Sequence, residues 1–295
     1  MPMKLTIFTP TYNREKLLPR TFKSLQEQTS FDFEWLIIDD GSMDGTEELC
    51  REWVRRENLF PIRYYKKENG GKCSAINDGL DQARGEWFLV LDSDDFLAPC
   101  AVEKILEWVQ TIPENGKFCA IGARATYGGQ EPDSPVLEGA YQDCSFFDRY
   151  PRKENGFFFI GHDRAWVFRT AVHRKYKYPV YPGEKFMTEA VSWNRMAADG
   201  FSIRCYNDII YTFDHQEEGL TDNSRNNFLR NPRGYGLWLS EMARYLKFSP
   251  SQRFKQVYTF YCDTHELYSK HEIASYIHAS PLLIASCAAI YRQRH

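Results

Sequence analysis

Absences bound this 295-residue chain before any motif does. No segment offers the roughly 20 consecutive apolar residues that a membrane-spanning helix needs. The longest apolar stretch, Pro281 to Tyr291, is too short and runs into Arg292, Arg294 and His295. It reads either as a C-terminal helix packed on the body or as an interfacial helix, a peripheral membrane contact through 281–295 with its basic end on acidic headgroups. Excess charge is lacking too. Lys and Arg number 37 against 40 Asp and Glu, a net charge of −3, which removes the electrostatic case for nucleic acid as a partner. The 8 cysteines are scattered, so the paired ligands of a zinc cluster are not indicated. Asn-x-Ser/Thr sequons are missing, and Met1-Pro2-Met3-Lys4 runs straight into a strand-like segment without the pattern of an export signal. The expectation is a cytoplasmic protein with reduced thiols, peripheral at the inner membrane face if the C-terminal helix is interfacial.

What is present is the composition of a globular protein, 43% hydrophobic and 26% charged. The length allows one large domain or two small ones and a core that needs no disulfides. Aromatics reach 16%, which core filling explains as the ordinary case, with stacking on bases or sugars as the alternative.

The first hundred residues alternate strand and helix. Leu5–Thr9, Phe33–Ile38, Ile62–Tyr65 and Trp87–Leu91 read as buried strands. Between them, Leu17, Leu18, Phe22 and Leu25 recur at helical spacing. A second helix has Glu47 and Glu48 near its start and Leu49, Trp53 and Val54 on its inner face. A third carries Ala75, Ile76, Leu80 and Ala83, and a fourth starts near Pro99. Such alternation implies an open parallel sheet covered on both faces, with ligands outside the carboxyl ends of its strands. Those ends carry Thr9-Pro10-Thr11-Tyr12-Asn13, Asp39-Asp40-Gly41 and Asp92-Ser93-Asp94-Asp95. Further on, Phe118 to Tyr127, Phe157 to Val167 and Ile209 to Phe213 read as sheet and Glu184 to Ala198 as a helix. The polar residues 214–236 read as a mobile loop and 237–295 as mostly helical.

Three carboxylates in four residues repel one another. They are tolerable at a strand end if a divalent cation neutralises them, and hard oxygen ligands suit magnesium or manganese. In an extended segment residues i and i+2 share a side, so Asp92 and Asp94 could address one ion. A solvated acidic turn capping the next helix is the competing reading.

The combination of Thr9-Pro10-Thr11-Tyr12-Asn13-Arg14, Ser24-Leu25 with Gln28-Thr29, Phe33 to Ser42, Asn69-Gly70-Gly71-Lys72, and Leu91-Asp92-Ser93-Asp94-Asp95 resembles the inverting glycosyltransferases of family 2. The resemblance covers about residues 4–110 and implies the GT-A fold: α/β, with a mostly parallel open sheet flanked by helices, a Rossmann-like nucleotide-binding half and a helical C-terminal region. It further implies a nucleotide-sugar-binding half at 1–110, an acceptor-binding half with the catalytic base and a mobile loop at 111–236, and a helical extension at 237–295. Pro10 and Tyr12 would line the nucleobase pocket, Tyr12 by stacking. Asp40 would accept a hydrogen bond from the base ring N–H, as in uridine-using members, with thymine and guanine as alternatives. Lys72 would sit near the donor, and Asp92, Ser93 and Asp94 would form the Asp-x-Asp motif that holds ribose and Mn2+ or Mg2+, with Asp95 helping.

An inverting reaction also needs a base for the acceptor hydroxyl. In the family this is an Asp or Glu at the start of a helix in the second half. Glu189 is the best match, behind a Thr188 N-cap, where the helix dipole favours a carboxylate. The family pattern is often Glu-Asp and here it is Glu-Ala, so Glu184 stays as second choice. Trp193, one turn on, could stack on a sugar or fill core. His215 matches a family position for a downstream metal ligand. The loop from Gln216 to Gly236 would close over the donor, with Arg225 or Arg230 reaching the diphosphate.

The function expected is transfer of a single sugar from a nucleotide-sugar donor to a saccharide or lipid-linked acceptor, in surface polysaccharide synthesis. The Gln-x-x-Arg-Trp motif of processive synthases is absent. Gly70-Gly71-Lys72 is not a P-loop, because Lys66 and Cys73 stand where Gly and Ser or Thr are required. A nucleotidyltransferase would want a glycine-rich basic loop after the first strand, and Thr9 to Arg14 contains no glycine. The remaining alternative is a catalytically inactive relative that only binds nucleotide-sugar or glycan.

Overall fold

The computed structural model describes residues 3–113, 116–130, 134–150, 160–161, 164–214 and 224–294. They form two compact units. One comprises residues 1–177 with 195–217 and the other residues 178–194 with 218–295. This division cuts across the three segments expected from the sequence.

The first unit holds one mixed sheet. Its strands are β1 (Leu5–Thr11), β2 (Phe33–Asp39), β3 (Ile62–Lys66), β4 (Trp87–Val90), β5 (Phe96–Leu97), β6 (Phe118–Tyr127), β7 (Tyr141–Cys144), β8 (Ala165–Arg169) and β9 (Ser202–Phe213). The order is β3-β2-β1-β4-β8-β6-β9-β5, with β7 also on β9. β1 to β4 are parallel, as the strand–helix alternation requires. Beyond β4 the sheet changes character: β8 runs antiparallel to both β4 and β6, β6 is parallel to β9, and β5 and β7 are antiparallel to β9. The parallel reading therefore holds for β1 to β4, while the rest of the sheet is mixed.

Helices α1 (Leu18–Gln26), α2 (Thr46–Arg55) and α3 (Lys72–Gln82) cross between the parallel strands, and α4 (Ala101–Val109) follows β5. Every residue of β1 and β2 is buried. Phe22 of α1 stacks on Trp35 with centroids 5.4 Å apart and meets Trp53 at 4.6 Å, so the aromatics here fill core. On α2 the inner positions are Cys50 and Trp53, whereas Val54 is 43% exposed and is not an inner residue. Gly79 of α3 lies over the Phe8 ring, where a Cβ would fall 2.3 Å from a ring carbon, so α3 sits tightly on β1.

After β8 come the short α5 (Thr170–His173) and α6 (Ala190–Ala198), and the boundary between units falls within α6. The remaining helices belong to the second unit: α7 (Ser224–Arg230), α8 (Pro232–Tyr245), α9 (Pro250–Thr264), α10 (Lys270–Tyr276) and α11 (Pro281–Arg294). Val257, Phe260, Ile273, Ile277, Ile284 and Cys287 form their core. α11 packs through Ile284, Cys287 and Ala288, so the packed reading of the C-terminal segment holds for that face. Among the described residues no helix is long and apolar enough to cross a membrane.

Two expectations need correction. The helix expected over 184–198 begins only at Ala190, and the stretch before it is held from outside, the N–H groups of Lys185 and Phe186 donating to Asn231 Oδ1 at 2.8 and 3.1 Å. Nor is 214–236 one loop: 215–223 lie outside the described residues, and 224–230 and 232–236 are helical. Pro232 occupies the first helical position of α8, where its missing N–H costs nothing.

Candidate active site

β2, β1 and β4 are adjacent and parallel, so their carboxyl ends meet at one edge of the sheet. Pairing of β1 with β4 stops at Phe8↔Val90. Pro10 would direct an N–H toward that finished side, so proline breaks no ladder bond there. It is buried beside Ile38, and Tyr12 emerges just beyond, 40% exposed.

β2 ends in two carboxylates with different partners. Asp39 accepts from the Ser42 N–H at 2.7 Å and the Tyr64 hydroxyl at 2.6 Å, closing the turn at Gly41, whose φ is 85°. Asp40, 4% exposed, reaches toward the segment before α3. Its Oδ1 accepts from the Lys67 ammonium at 3.0 Å and the Gly70 N–H at 2.9 Å, and its Oδ2 from the Gly71 N–H at 2.7 Å. A carboxylate has about four acceptor positions, so roughly one, on Oδ2, is left for a ring N–H. Asp40 thus anchors the glycine turn that delivers Lys72 to the first position of α3.

Lys72 Nζ donates to Asp92 Oδ2 at 2.7 Å. Asp92 to Asp95 form a turn in which the Asp95 N–H donates to the Asp92 carbonyl at 3.1 Å, so the segment is not extended as expected. Burial nevertheless alternates: Asp92 and Asp94 are half-buried, while Ser93 and Asp95 are 6% and 4% exposed. Asp95 faces β9, accepting from the Tyr211 hydroxyl at 2.7 Å and the Asp214 N–H at 2.8 Å. The same Tyr211 oxygen accepts from the Asp92 N–H at 3.1 Å. Thr21 Oγ1 donates to the carbonyl oxygens of Ser93 and Asp95 at 3.2 and 2.9 Å, tying the turn to α1. Burial, then the charge of Asp92, raises the pKa of Asp94, against the opposing fields of Arg14 and Lys72. Burial, with Asp92 and Asp94 adding repulsion, also raises that of Asp95.

This donor set fits a divalent cation. Two oxygen-donor side chains stand in mutual repulsion, and one of them is disfavoured as an anion by its surroundings, strain that a hard cation relieves. Among the described residues no three His, Cys, Asp or Glu side chains cluster as a metal site. The protein side would therefore be Asp92 and Asp94, with phosphate and water completing the shell. His215 lies outside the described residues.

In the second unit Glu189 stands at the start of α6, half-buried. Thr188 Oγ1 accepts from the Ala190 N–H at 3.4 Å, and the Glu189 carbonyl accepts from Ser192 at 3.1 Å and from Trp193, one turn on, at 3.4 Å. Glu184 is committed elsewhere. Its two carboxylate oxygens accept from the Arg233 and Gly234 N–H groups at 2.8 and 2.9 Å, capping α8. Arg225 pairs with Asp263 at 3.1 Å, and Arg230 is exposed at the end of α7. Tyr211 and Lys67, which hold Asp95 and Asp40, were not singled out from the sequence. Tyr211 is 116 residues from Asp95, and only the β5–β9 pairing joins them.

A family model described as "Glycosyl transferase family 2" matches residues 6–176. Among curated proteins, the Campylobacter jejuni "GalNAc(5)-diNAcBac-PP-undecaprenol beta-1,3-glucosyltransferase" is 35% identical over 106 residues, 35% of this chain and 34% of that protein. The chain spans about a third of the length of the curated relatives it matches first. Among solved structures, S. aureus TarS 1–349 in complex with UDP-GlcNAc has a TM-score of 0.61 at 15% identity, covering 99% of this chain and 93% of that one. The Pyrobaculum calidifontis mannosyltransferase PcManGT, in complex with GDP-Man and Mn2+, has a TM-score of 0.53 at 16% identity, covering 99% and 76%. These two likenesses carry the GT-A fold.

Proposed function

The chain belongs to glycosyl transferase family 2, and we propose that it moves one sugar, with inversion, from a uridine diphosphate sugar to a hydroxyl of a saccharide or lipid-linked acceptor. The observation that carries the reading is the meeting of Tyr12, Asp40, Lys72, Asp92 and Asp94 at the ends of three adjacent parallel strands. Support comes also from a fold neighbour that holds UDP-GlcNAc and from a relative named for a lipid-linked acceptor.

In this mechanism Tyr12 stacks on the base and the free position of Asp40 Oδ2 takes its ring N–H. The glycine turn that Asp40 anchors holds Lys72 beside the diphosphate, where a point charge favours the departing oxygen. Asp92 and Asp94 would hold a divalent cation, which when bound acts as a Lewis acid on the two phosphates. Glu189 takes the proton of the acceptor hydroxyl as that oxygen attacks the anomeric carbon from the face opposite the diphosphate. An ordinary carboxylate suffices, since the hydroxyl acidifies during attack. Synthesis of a surface polysaccharide or lipid-linked glycan is the setting this acceptor class suggests.

The test is a thermal-shift titration with UDP, GDP and dTDP, each with manganese or with EDTA, on wild type and Asp94→Ala. A ligand that binds the folded state raises the midpoint by mass action. A manganese-dependent shift with UDP that Asp94→Ala loses is expected. No shift with any nucleotide at millimolar concentration would overturn the reading.

A further inference from the structure

Arg14 has a fixed backbone and a loosely held side chain. Its N–H donates to Thr46 Oγ1 at 2.9 Å, and its carbonyl accepts from the Leu17 and Leu18 N–H groups at 3.1 and 3.0 Å, so the residue is built into the approach to α1. Among the described residues the guanidinium reaches only the carbonyl oxygens of Tyr12 and Asn13, both at 3.4 Å, the weak end of the hydrogen-bond range. Its Nε is buried without a hydrogen-bond partner. Among the described residues no carboxylate forms an ion pair with it, although its field reaches Asp94. A planar fork of five donors is thus left mostly unused against the backbone of Tyr12, at the mouth of the strand-end cluster.

Charge counting gives those donors a purpose. The diphosphate of a sugar nucleotide carries two negative charges, and Asp92 and Asp94 add two more. A divalent cation and Lys72 supply three positive charges, and Lys72 is already engaged by Asp92 at 2.7 Å. On that count, even with Asp95 of the same turn set aside, negative charge is in excess, so a further cation is favoured there, and it becomes more valuable as the leaving diphosphate gains charge.

We propose that Arg14 is a donor-binding residue whose guanidinium leaves the carbonyls of Tyr12 and Asn13 to take the diphosphate, sharing its charge with Lys72. This rests on the nucleotide-sugar reading above. Arginine suits the role because its fork matches two phosphate oxygens at once.

The test is isothermal titration of wild type, Arg14→Met and Arg14→Lys with UDP, GDP and dTDP in manganese. Loss of a charge-assisted pair corresponds to an affinity loss of roughly ten- to a hundred-fold. Arg14→Met is expected to show that loss for every nucleoside diphosphate the wild type binds, by a common factor, with the nucleotide-free thermal midpoint unchanged. Arg14→Lys should recover part of it. If Arg14→Met does not fold, Arg14→Gln, which keeps a polar group and loses only the charge, carries the same expectation. Unchanged affinity in a folded variant overturns the proposal and leaves the donor site standing. A loss confined to one base also overturns it, because the side chain would then be shaping the base pocket through Tyr12. If the wild type binds none of the three nucleotides, the nucleotide-sugar reading falls and this proposal with it.

Discussion

Asp40→Asn separates two roles that one carboxylate plays. The amide has the same size and loses one acceptor oxygen. Asp40 accepts from Lys67 and Gly70 on one oxygen and from Gly71 on the other, at 3.0, 2.9 and 2.7 Å. Whichever way the amide turns, its NH2 faces a donor. The cheaper orientation presents it to Gly71, leaving that N–H without an acceptor, turning the Gly70 bond into a neutral one and the Lys67 ion pair into a weaker ion–dipole bond. An unsatisfied buried donor costs about 1–3 kcal/mol, and weakening the other two bonds adds about 1, so the variant should lose roughly 2–4 kcal/mol. For a protein of this size that lowers the thermal midpoint by roughly 3–7 °C. The assay is differential scanning fluorimetry without nucleotide, followed by titration with UDP and manganese. Both stability and affinity should fall, since the loosened turn also carries Lys72. A midpoint within about 1 °C of wild type, with affinity lost, would refute the anchoring argument and leave Asp40 acting on the base alone.

Glu189→Gln should lower transfer by roughly a hundred- to ten-thousand-fold while nucleotide binding persists, read by UDP release against UDP affinity. Glu184→Gln should cost about 1 kcal/mol through the weakened cap of α8, seen as a lower urea midpoint. His173 is fully buried, and burial pulls its pKa from 6.5 down to about 3. The unfolded chain therefore binds the extra proton between those values. Stability is complete above pH 6.5 and falls by up to about 1.4 kcal/mol per pH unit toward pH 3, a slope that His173→Phe should flatten in acid-denaturation curves. Gly236→Ala gains about 1 kcal/mol of helix propensity but places its Cβ 2.1 Å from the Tyr276 carbonyl oxygen. Backbone cannot rotate aside as a side chain does, so a net loss of about 1–3 kcal/mol should show in urea unfolding.

The parallel half of the fold was legible because each strand there announces itself. β1 and β2 are buried along their whole length, so composition and period agree with the outcome. The second half of the sheet gave a weaker signal. β9 runs from Ser202, seven residues before the strand-like stretch that begins at Ile209, because its earlier part pairs with β6 and β7 and needs no apolar run of its own. Val54 was misjudged for a related reason. Helical spacing allowed an inner face centred on Trp53, and Cys50, three residues before it, completes that face instead.

The candidate site divides along the same line. Its donor side is local: the ends of consecutive parallel strands lie at one sheet edge by topology alone, so a short polar motif after each strand already fixes who meets whom. Asp92 and Asp94 are both half-buried in a turn and not in the extended segment expected, and Tyr211 and Thr21 hold Asp95 and the turn carbonyls. The stretch that carries Glu184 and Glu189 is non-local. Residues 178–194 belong to the second unit although they interrupt the first in sequence. What holds 184–186 is the side chain of Asn231 together with the N-terminus of α8, 45 to 50 residues away. A helix pattern starting at Glu184 is compatible with that stretch taken alone. Asn231 and Gly234 engage its first residues as a cap for another helix, and α6 itself starts at Ala190 with Glu189 at its threshold. Propensity therefore located the helix, and tertiary hydrogen bonds committed Glu184 to the cap of α8.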